Sequence, residues 1–278
     1  MMWRSLGILR PQKQMRAKKS LGQNFLNDPA VIDRIISSLE LEPDDTVVEI
    51  GPGQGALTER LAESTARVIA IEFDRDLVGP LNERFGPCDK FSLIRGDALS
   101  VDFADILTGT TPAKTKLAAN LPYNISTPIL QRLIEYRHLF SSLVLMFQKE
   151  VVERITARPG NSDRGFLSVL VENAFETEHL FDIPPTAFRP IPKVWSSVVR
   201  LTPKRSLIKD ETLFRDLLSR ALAQKRKTIL NNLKGTVDDA AQILNTAGID
   251  PGRRAETLTL EEWMRLTDLL ANQKAERL

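Results

Sequence analysis

The chain of 278 residues contains one cysteine, Cys88, and two histidines, His138 and His179. A lone cysteine closes no internal disulfide and suits a reducing compartment, so a cytoplasmic location is expected. The histidines stand far apart with no cysteine cluster near either, which argues against a zinc site, and no metal is expected. No apolar run reaches spanning length, which excludes a membrane helix and makes a membrane an unexpected partner. Acidic residues are missing from positions 1–20, which hold six Lys or Arg. Residues 1–19 also lack the continuous apolar core and small-residue cleavage site of a secretory signal, and serine is too sparse to favour a mitochondrial presequence. A flexible basic arm that touches RNA is the expectation. Internal repeats and low-complexity tracts are absent as well.

What is present is an ordinary globular composition, 42% apolar and 27% charged, in a chain long enough for one large core domain and a small appendage. Net charge is only +2, yet its distribution is uneven. Between Thr186 and Lys234 twelve basic residues face three acidic ones. Charge segregated in this way favours a polyanion, because each neutralised phosphate releases a condensed counterion. A solvated lysine-rich face fits the same count.

Apolar segments alternate with helical ones over the first half. Asp28-Pro29 reads as an N-cap followed by proline in the first turn of a helix running to about Leu39. Strands are expected at Thr46–Ile50, Arg67–Phe73, Phe91–Arg95, Leu117–Asn120 and Leu143–Phe147. Helices are expected at Ala56–Glu63, Arg75–Phe85 and about Thr127–Arg137. This rhythm implies an α/β fold, a parallel sheet covered on both faces. Two later strands, Phe175–Ile183 and Ser197–Leu201, are joined by a segment with four prolines. Beyond Ser206 the pattern is helical, with Glu211–Ala223, Asp238–Ala247 and Leu260–Ala271, the last capped by Thr259. The expected division is an arm (1–19), a sheet domain (20–205) and a small helical domain (206–278).

The first strand runs into Glu49-Ile50-Gly51-Pro52-Gly53-Gln54-Gly55. Glycine lets backbone approach a ligand, and the following helix points its amides at it. Glu72 lies 21 residues after Gly51 at the end of the next strand, the spacing of an acid that accepts ribose hydroxyls. Asp97, in Gly96-Asp97-Ala98, follows the third strand and suits an adenine amino group, and Asn120 ends the fourth. Each taken singly also fits a tight turn, a surface acid or a cap. Their occurrence in strand order, all at carboxyl ends, points to a phosphate-free adenosine ligand such as S-adenosylmethionine.

Asn120-Leu121-Pro122-Tyr123 carries the chemistry. The N6 amine of adenine is a poor nucleophile because its lone pair is delocalised into the ring. Two acceptors, the Asn120 side-chain oxygen and the Leu121 or Pro122 carbonyl, can bind its hydrogens and draw the nitrogen toward tetrahedral geometry. Pro122 stiffens the turn, and Tyr123 offers a face to a base swung out of its helix. The same four residues also fit a strand end followed by a helix start.

Together these residues resemble the small-subunit ribosomal RNA adenine N6-dimethyltransferases, from about Lys18 to Leu266. Gly22-Gln23-Asn24-Phe25-Leu26 resembles a family motif in which Asn24 and Leu26 contact S-adenosylmethionine. Glu49–Gly55 resembles the glycine motif, with Gly51 and Gly53 at the cofactor, Glu72 the ribose acid, Asp97 the adenine contact and Asn120–Tyr123 the target-amine motif. Phe188-Arg189-Pro190-Ile191-Pro192-Lys193-Val194 resembles the proline segment beside the active site, with Phe188 a candidate for the opposite face of the base. Lys225–Thr228, Asn231–Leu233 and Arg254–Leu258 resemble the C-terminal domain, in which Arg226, Lys227 and Lys234 would bind phosphates.

The resemblance implies a Rossmann-like S-adenosylmethionine-dependent methyltransferase sheet with a small C-terminal α-helical domain. It implies dimethylation of two adjacent adenosines in the 3′-terminal hairpin of small-subunit (16S) rRNA, by a monomer acting on a partly assembled subunit in its biogenesis. Two departures concern the rim of the RNA site. Trp195 stands where the family usually has an acid, and Ser20-Leu21 replaces a basic-aromatic pair. A large-subunit rRNA adenine methyltransferase of the macrolide-resistance type shares the motifs, and a non-catalytic RNA-binding assembly or transcription factor shares the fold.

Overall fold

A computed structural model describes residues 17–18, 21–65, 67–122 and 125–276. The chain divides into two compact units, one comprising the residues up to Val152 with Thr177–Pro203, the other Glu153–Glu176 with Lys204–Leu278. Among the described residues no helix is long and apolar enough to cross a membrane.

The first unit begins with a short strand β1 (Phe25–Leu26) and helix α1 (Pro29–Ser38). Asp28 caps α1 by accepting from the N–H groups of Ala30 (3.0 Å) and Val31 (3.3 Å), as the Asp-Pro pair predicts, a contribution of about 1 kcal/mol. There follow β2 (Thr46–Ile50), α2 (Ala56–Ser64), β3 (Arg67–Glu72), α3 (Arg75–Phe85), β4 (Phe91–Arg95), the one-turn α4 (Phe103–Ile106), β5 (Thr115–Asn120), α5 (Ser126–Glu135), β6 (Ser142–Gln148) and α6 (Lys149–Ile155). After a helix of the second unit come β7 (Phe175–Ile183), β8 (Phe188–Arg189) and β9 (Ser196–Pro203). Seven strands form one sheet in the order β4-β3-β2-β5-β6-β9-β7.

β2 pairs in parallel with both β3 and β5, β3 with β4, and β5 with β6. Every residue of β2 is buried, as a strand covered on both faces requires. The five strands read from the alternating segments are thus parallel, as expected, while the later strand β9 makes the whole sheet mixed by running antiparallel to β6, pairing Gln148 with Ser196 and Leu143 with Leu201. The chain order reverses on either side of β2, so a crevice opens at the carboxyl ends of β2 and β5, the usual ligand position in open α/β sheets.

The second unit contains α7 (Phe166–Ala174), α8 (Glu211–Ala221), α9 (Ile229–Leu233), α10 (Ala240–Thr246) and α11 (Leu260–Glu276). It is larger than the tail expected from residue 206 onward, since α7 and its approach belong to it. Seven of the nine residues of α7 are buried, so the helix shows no polar stripe and its periodicity is illegible in the sequence. Arg164, 1% exposed, ties this unit together by donating to the Ala157 carbonyl (2.9 Å), the Leu258 carbonyl (3.4 Å) and Glu172 (2.5 Å). Thr259 and Glu262 form the expected reciprocal cap of α11, each accepting the other's backbone N–H, at 3.3 and 2.8 Å.

Candidate active site

The turn after β2 is built from left-handed backbone. Gly51, Gly53 and Gly55 have φ of +69°, +59° and +83°. Such a path suits glycine alone, and its N–H groups are held within the protein, that of Gly51 by the Ile71 carbonyl (2.9 Å) and that of Gly55 by the Pro52 carbonyl (2.8 Å). At the end of β3, Glu72 is 5% exposed and accepts the N–H of Gly53 at 3.1 Å and that of Asp74 at 2.7 Å. Burial raises its pKa above the ordinary carboxylate value, an effect those two N–H groups oppose. The acid and the loop therefore form one rigid piece.

The segment before β1 is fastened to the same place. Asp74 accepts from Lys18 Nζ (2.5 Å) and Gln23 Nε2 (2.8 Å), and Gln23 Oε1 accepts the Lys18 N–H (2.9 Å). Lys18 is therefore an anchored residue, not part of a free arm; the rest of the expected arm, apart from Ala17, lies outside the described residues. β1 pairs antiparallel with β8, setting Phe25 opposite Arg189 and Leu26 opposite Phe188. This two-stranded zipper brings the Asn24 motif and the proline segment together. Neither strand is visible as a sequence pattern, since two residues carry no period.

Asn24, Leu26, Gly51, Gly53, Glu72, Asn120, Leu121, Pro122 and Phe188 all line a single cleft at the carboxyl edge of the sheet. Asn120 Nδ2 donates to the Asn24 carbonyl at 3.5 Å. The Pro122 carbonyl accepts the Ile125 N–H at 3.2 Å, which engages one of its two lone pairs. Tyr123 lies outside the described residues.

Two expected residues sit differently. Asp97 does not line the cleft; its carboxylate accepts the Leu99 N–H at 2.9 Å and so caps the turn after β4, one strand beyond Glu72. Phe188 borders the cleft but is 1% exposed and packed in the hydrophobic core, so stacking on a base requires the proline segment to shift.

One residue of the cleft was given no role in the sequence reading. Glu49 lines the cleft at 1% exposure, accepting from the Thr58 hydroxyl at 2.7 Å. Burial pushes its carboxyl up to about 8, the Thr58 bond opposing and the charge of Glu72 adding. The available signal was an acid in the middle of an apolar strand. Phe73, which directly follows Glu72, is 59% exposed and does not line the cleft. In the second unit Arg226, Lys227 and Lys234 are all exposed, around the α9 turn.

The model of the ribosomal RNA adenine dimethylase family matches residues 14–272. The chain belongs to this family. A curated relative from Syntrophotalea carbinolica, named ribosomal RNA small subunit methyltransferase A, is 48% identical over 261 residues, covering 92% of this chain and 97% of that protein. Among solved structures, a dimethyladenosine transferase from Plasmodium falciparum superposes with a TM-score of 0.78 at 27% identity, over 90% of this chain and 98% of that one. The 23S rRNA methyltransferase ErmE gives 0.68 at 26% identity, over 89% of this chain and all of that one. The sheet of this dimethylase-family chain is thus a Rossmann-like methyltransferase sheet, and its cleft lies where such a sheet binds its ligand.

Proposed function

We propose that this protein uses S-adenosylmethionine to place two methyl groups on the N6 amine of each of two adjacent adenosines in the 3′-terminal hairpin of small-subunit (16S) rRNA. The observation that carries this reading is the convergence of Asn120, the Asn24 backbone, the glycine turn and Glu72 on one cleft. The small-subunit assignment draws on the 48% identical relative, against 26% for the large-subunit enzyme. The cleft suits the cofactor: three left-handed glycines make a close backbone approach, and a buried carboxylate faces the space where a ribose would lie. When bound, S-adenosylmethionine supplies a methyl group activated by a sulfonium.

Glu72 holds the ribose hydroxyls, while Asn24, Leu26, Gly51 and Gly53 form the remaining wall. Asn120 Oδ1 and the Leu121 carbonyl accept the two N6 hydrogens, localising the nitrogen lone pair for attack. Pro122 keeps the turn stiff, Tyr123 stacks on the extruded base, and Phe188 approaches its other face. Asp97 takes part through the adenine amino group once its turn opens toward the cleft. Catalysis rests on positioning and on acceptors aimed at the amine, without a tuned general base. Arg226, Lys227 and Lys234 bind phosphates and set affinity more than sequence choice. The protein works as a monomer in the cytoplasm, on rRNA in a partly assembled subunit.

The test is labelled methyl transfer to separated ribosomal subunits, followed by mass spectrometry of the rRNA fragments. Two adjacent dimethyladenosines in the small subunit are expected. Label confined to the large subunit overturns the substrate, and an inert protein that still binds RNA supports a non-catalytic factor.

A further inference from the structure

We propose that Trp195, on a loop that also carries Arg189 and Lys193, forms a stacking platform for an unpaired base of the RNA substrate next to the target adenosine. The inference rests on the function just proposed and extends it to a second contact.

Trp195 is 51% exposed, and Ile191 and Val194 beside it are 57% and 40% exposed. Three large apolar side chains left in water on one short loop mark an interaction surface. Register places that loop. Asn120 at the end of β5 pairs with Met146, and Gln148, two residues further along β6, pairs with Ser196, the first residue of β9. Trp195 therefore stands at the same sheet edge as Asn120, two strands away. At about 4.8 Å between strands and about 3.3 Å per residue, its backbone lies roughly 10–15 Å from Asn120. That is the reach of a nucleotide neighbouring an extruded one.

The backbone beneath the ring is held in place. The Trp195 carbonyl accepts the Lys149 N–H at 2.9 Å. Asp182 on β7 accepts from Lys149 Nζ and from the Ser197 hydroxyl, both at 2.6 Å, and pairs with His179 at 2.8 Å. Pro190 and Pro192 restrict the loop further, so little conformational freedom is lost on binding. Its charge is of one sign: positions 188–195 carry Arg189 and Lys193 and no acid. An exposed aromatic interleaved with cations is the chemistry of single-stranded nucleic-acid binding, since stacking tolerates any base while the cations meet phosphates.

The test is steady-state methylation of undermethylated small ribosomal subunits with labelled S-adenosylmethionine. Trp195→Ala and Trp195→Leu should raise KM for the subunit by about tenfold with kcat nearly unchanged, and Trp195→Phe should restore most of it. Cofactor affinity by calorimetry should not move in any variant. The difference in emission between wild type and Trp195→Phe, which isolates Trp195, should be quenched on adding subunits. An active wild type whose Ala and Leu variants keep the wild-type KM overturns the platform, as does a Trp195 signal that responds only to a protein partner. A wild type inert on small subunits sinks the underlying function instead.

Discussion

The Asn120 side chain donates from Nδ2 to the backbone carbonyl of Asn24 at 3.5 Å. This bond orients the amide, turning its nitrogen to the Asn24 carbonyl; in the proposed reaction Oδ1 is then the acceptor for the incoming amine. A strand end and a segment 96 residues earlier thereby become one device.

Removing that acceptor should slow transfer steeply while sparing RNA binding. Asn120→Ala is expected to slow single-turnover methylation by a factor on the order of 100–1,000, the usual cost of losing one preorganised polar group. Asn120→Asp should be no rescue, because a carboxylate cannot donate to the Asn24 carbonyl and repels it. Rapid-quench measurement with labelled cofactor decides, and an Asp variant with wild-type rate would refute the amide's role.

Glu72→Ala should weaken S-adenosylmethionine binding by about 10–100-fold, since it removes a charged acceptor from the ribose and frees the Gly53 N–H that the carboxylate restrains. Calorimetry on the purified variant checks this. Unchanged affinity would remove Glu72 from the ribose site.

Glu49 makes the ligand-free protein sensitive to pH. Its folded carboxyl titrates near 8, against an ordinary value of 4.5. Below about 4.5 both folded and unfolded states hold the proton and no penalty exists. Between the two values only the folded state holds it, so stability falls as pH rises; above about 8 the loss is complete. At about 1.4 kcal/mol per pH unit the loss amounts to a few kcal/mol. Glu49→Gln should flatten the dependence of urea unfolding on pH between about 5.5 and 8.5, and parallel curves for the two proteins would show that Glu49 does not titrate there.

The glycines of the turn are not equivalent. A Cβ on Gly55 would come 2.5 Å from Phe85 Cε2 and 2.8 Å from its Cζ, whereas one on Gly51 meets only the Asn120 carbonyl oxygen, at 3.8 Å. Phe85 is a core residue that packs against Phe91, so it yields at a cost. Gly55→Ala should lower stability by about 2–4 kcal/mol and Gly51→Ala by about 1–2, from the left-handed backbone alone. Equal urea midpoints for the two variants would contradict this ranking.

Much of this protein can be read from one dimension. Alternating apolar segments declare the central strands and their helices, Asp28-Pro29 and Thr259 declare helix starts, and Gly51, Glu72 and Asn120 declare a ligand edge, because each signal is local and repeats with the period of its element. What stayed hidden depends on partners distant in the chain. The pairing of Leu26 with Phe188 spans most of the sheet domain and has no period. Helix α7 is buried on nearly all sides and so carries no polar stripe. The antiparallel course of β9 is a matter of which edge accepts it. The burial that holds Glu49 protonated and packs Phe188 into the core arises only when the layers close, since solvent exclusion belongs to the assembled structure and not to any segment.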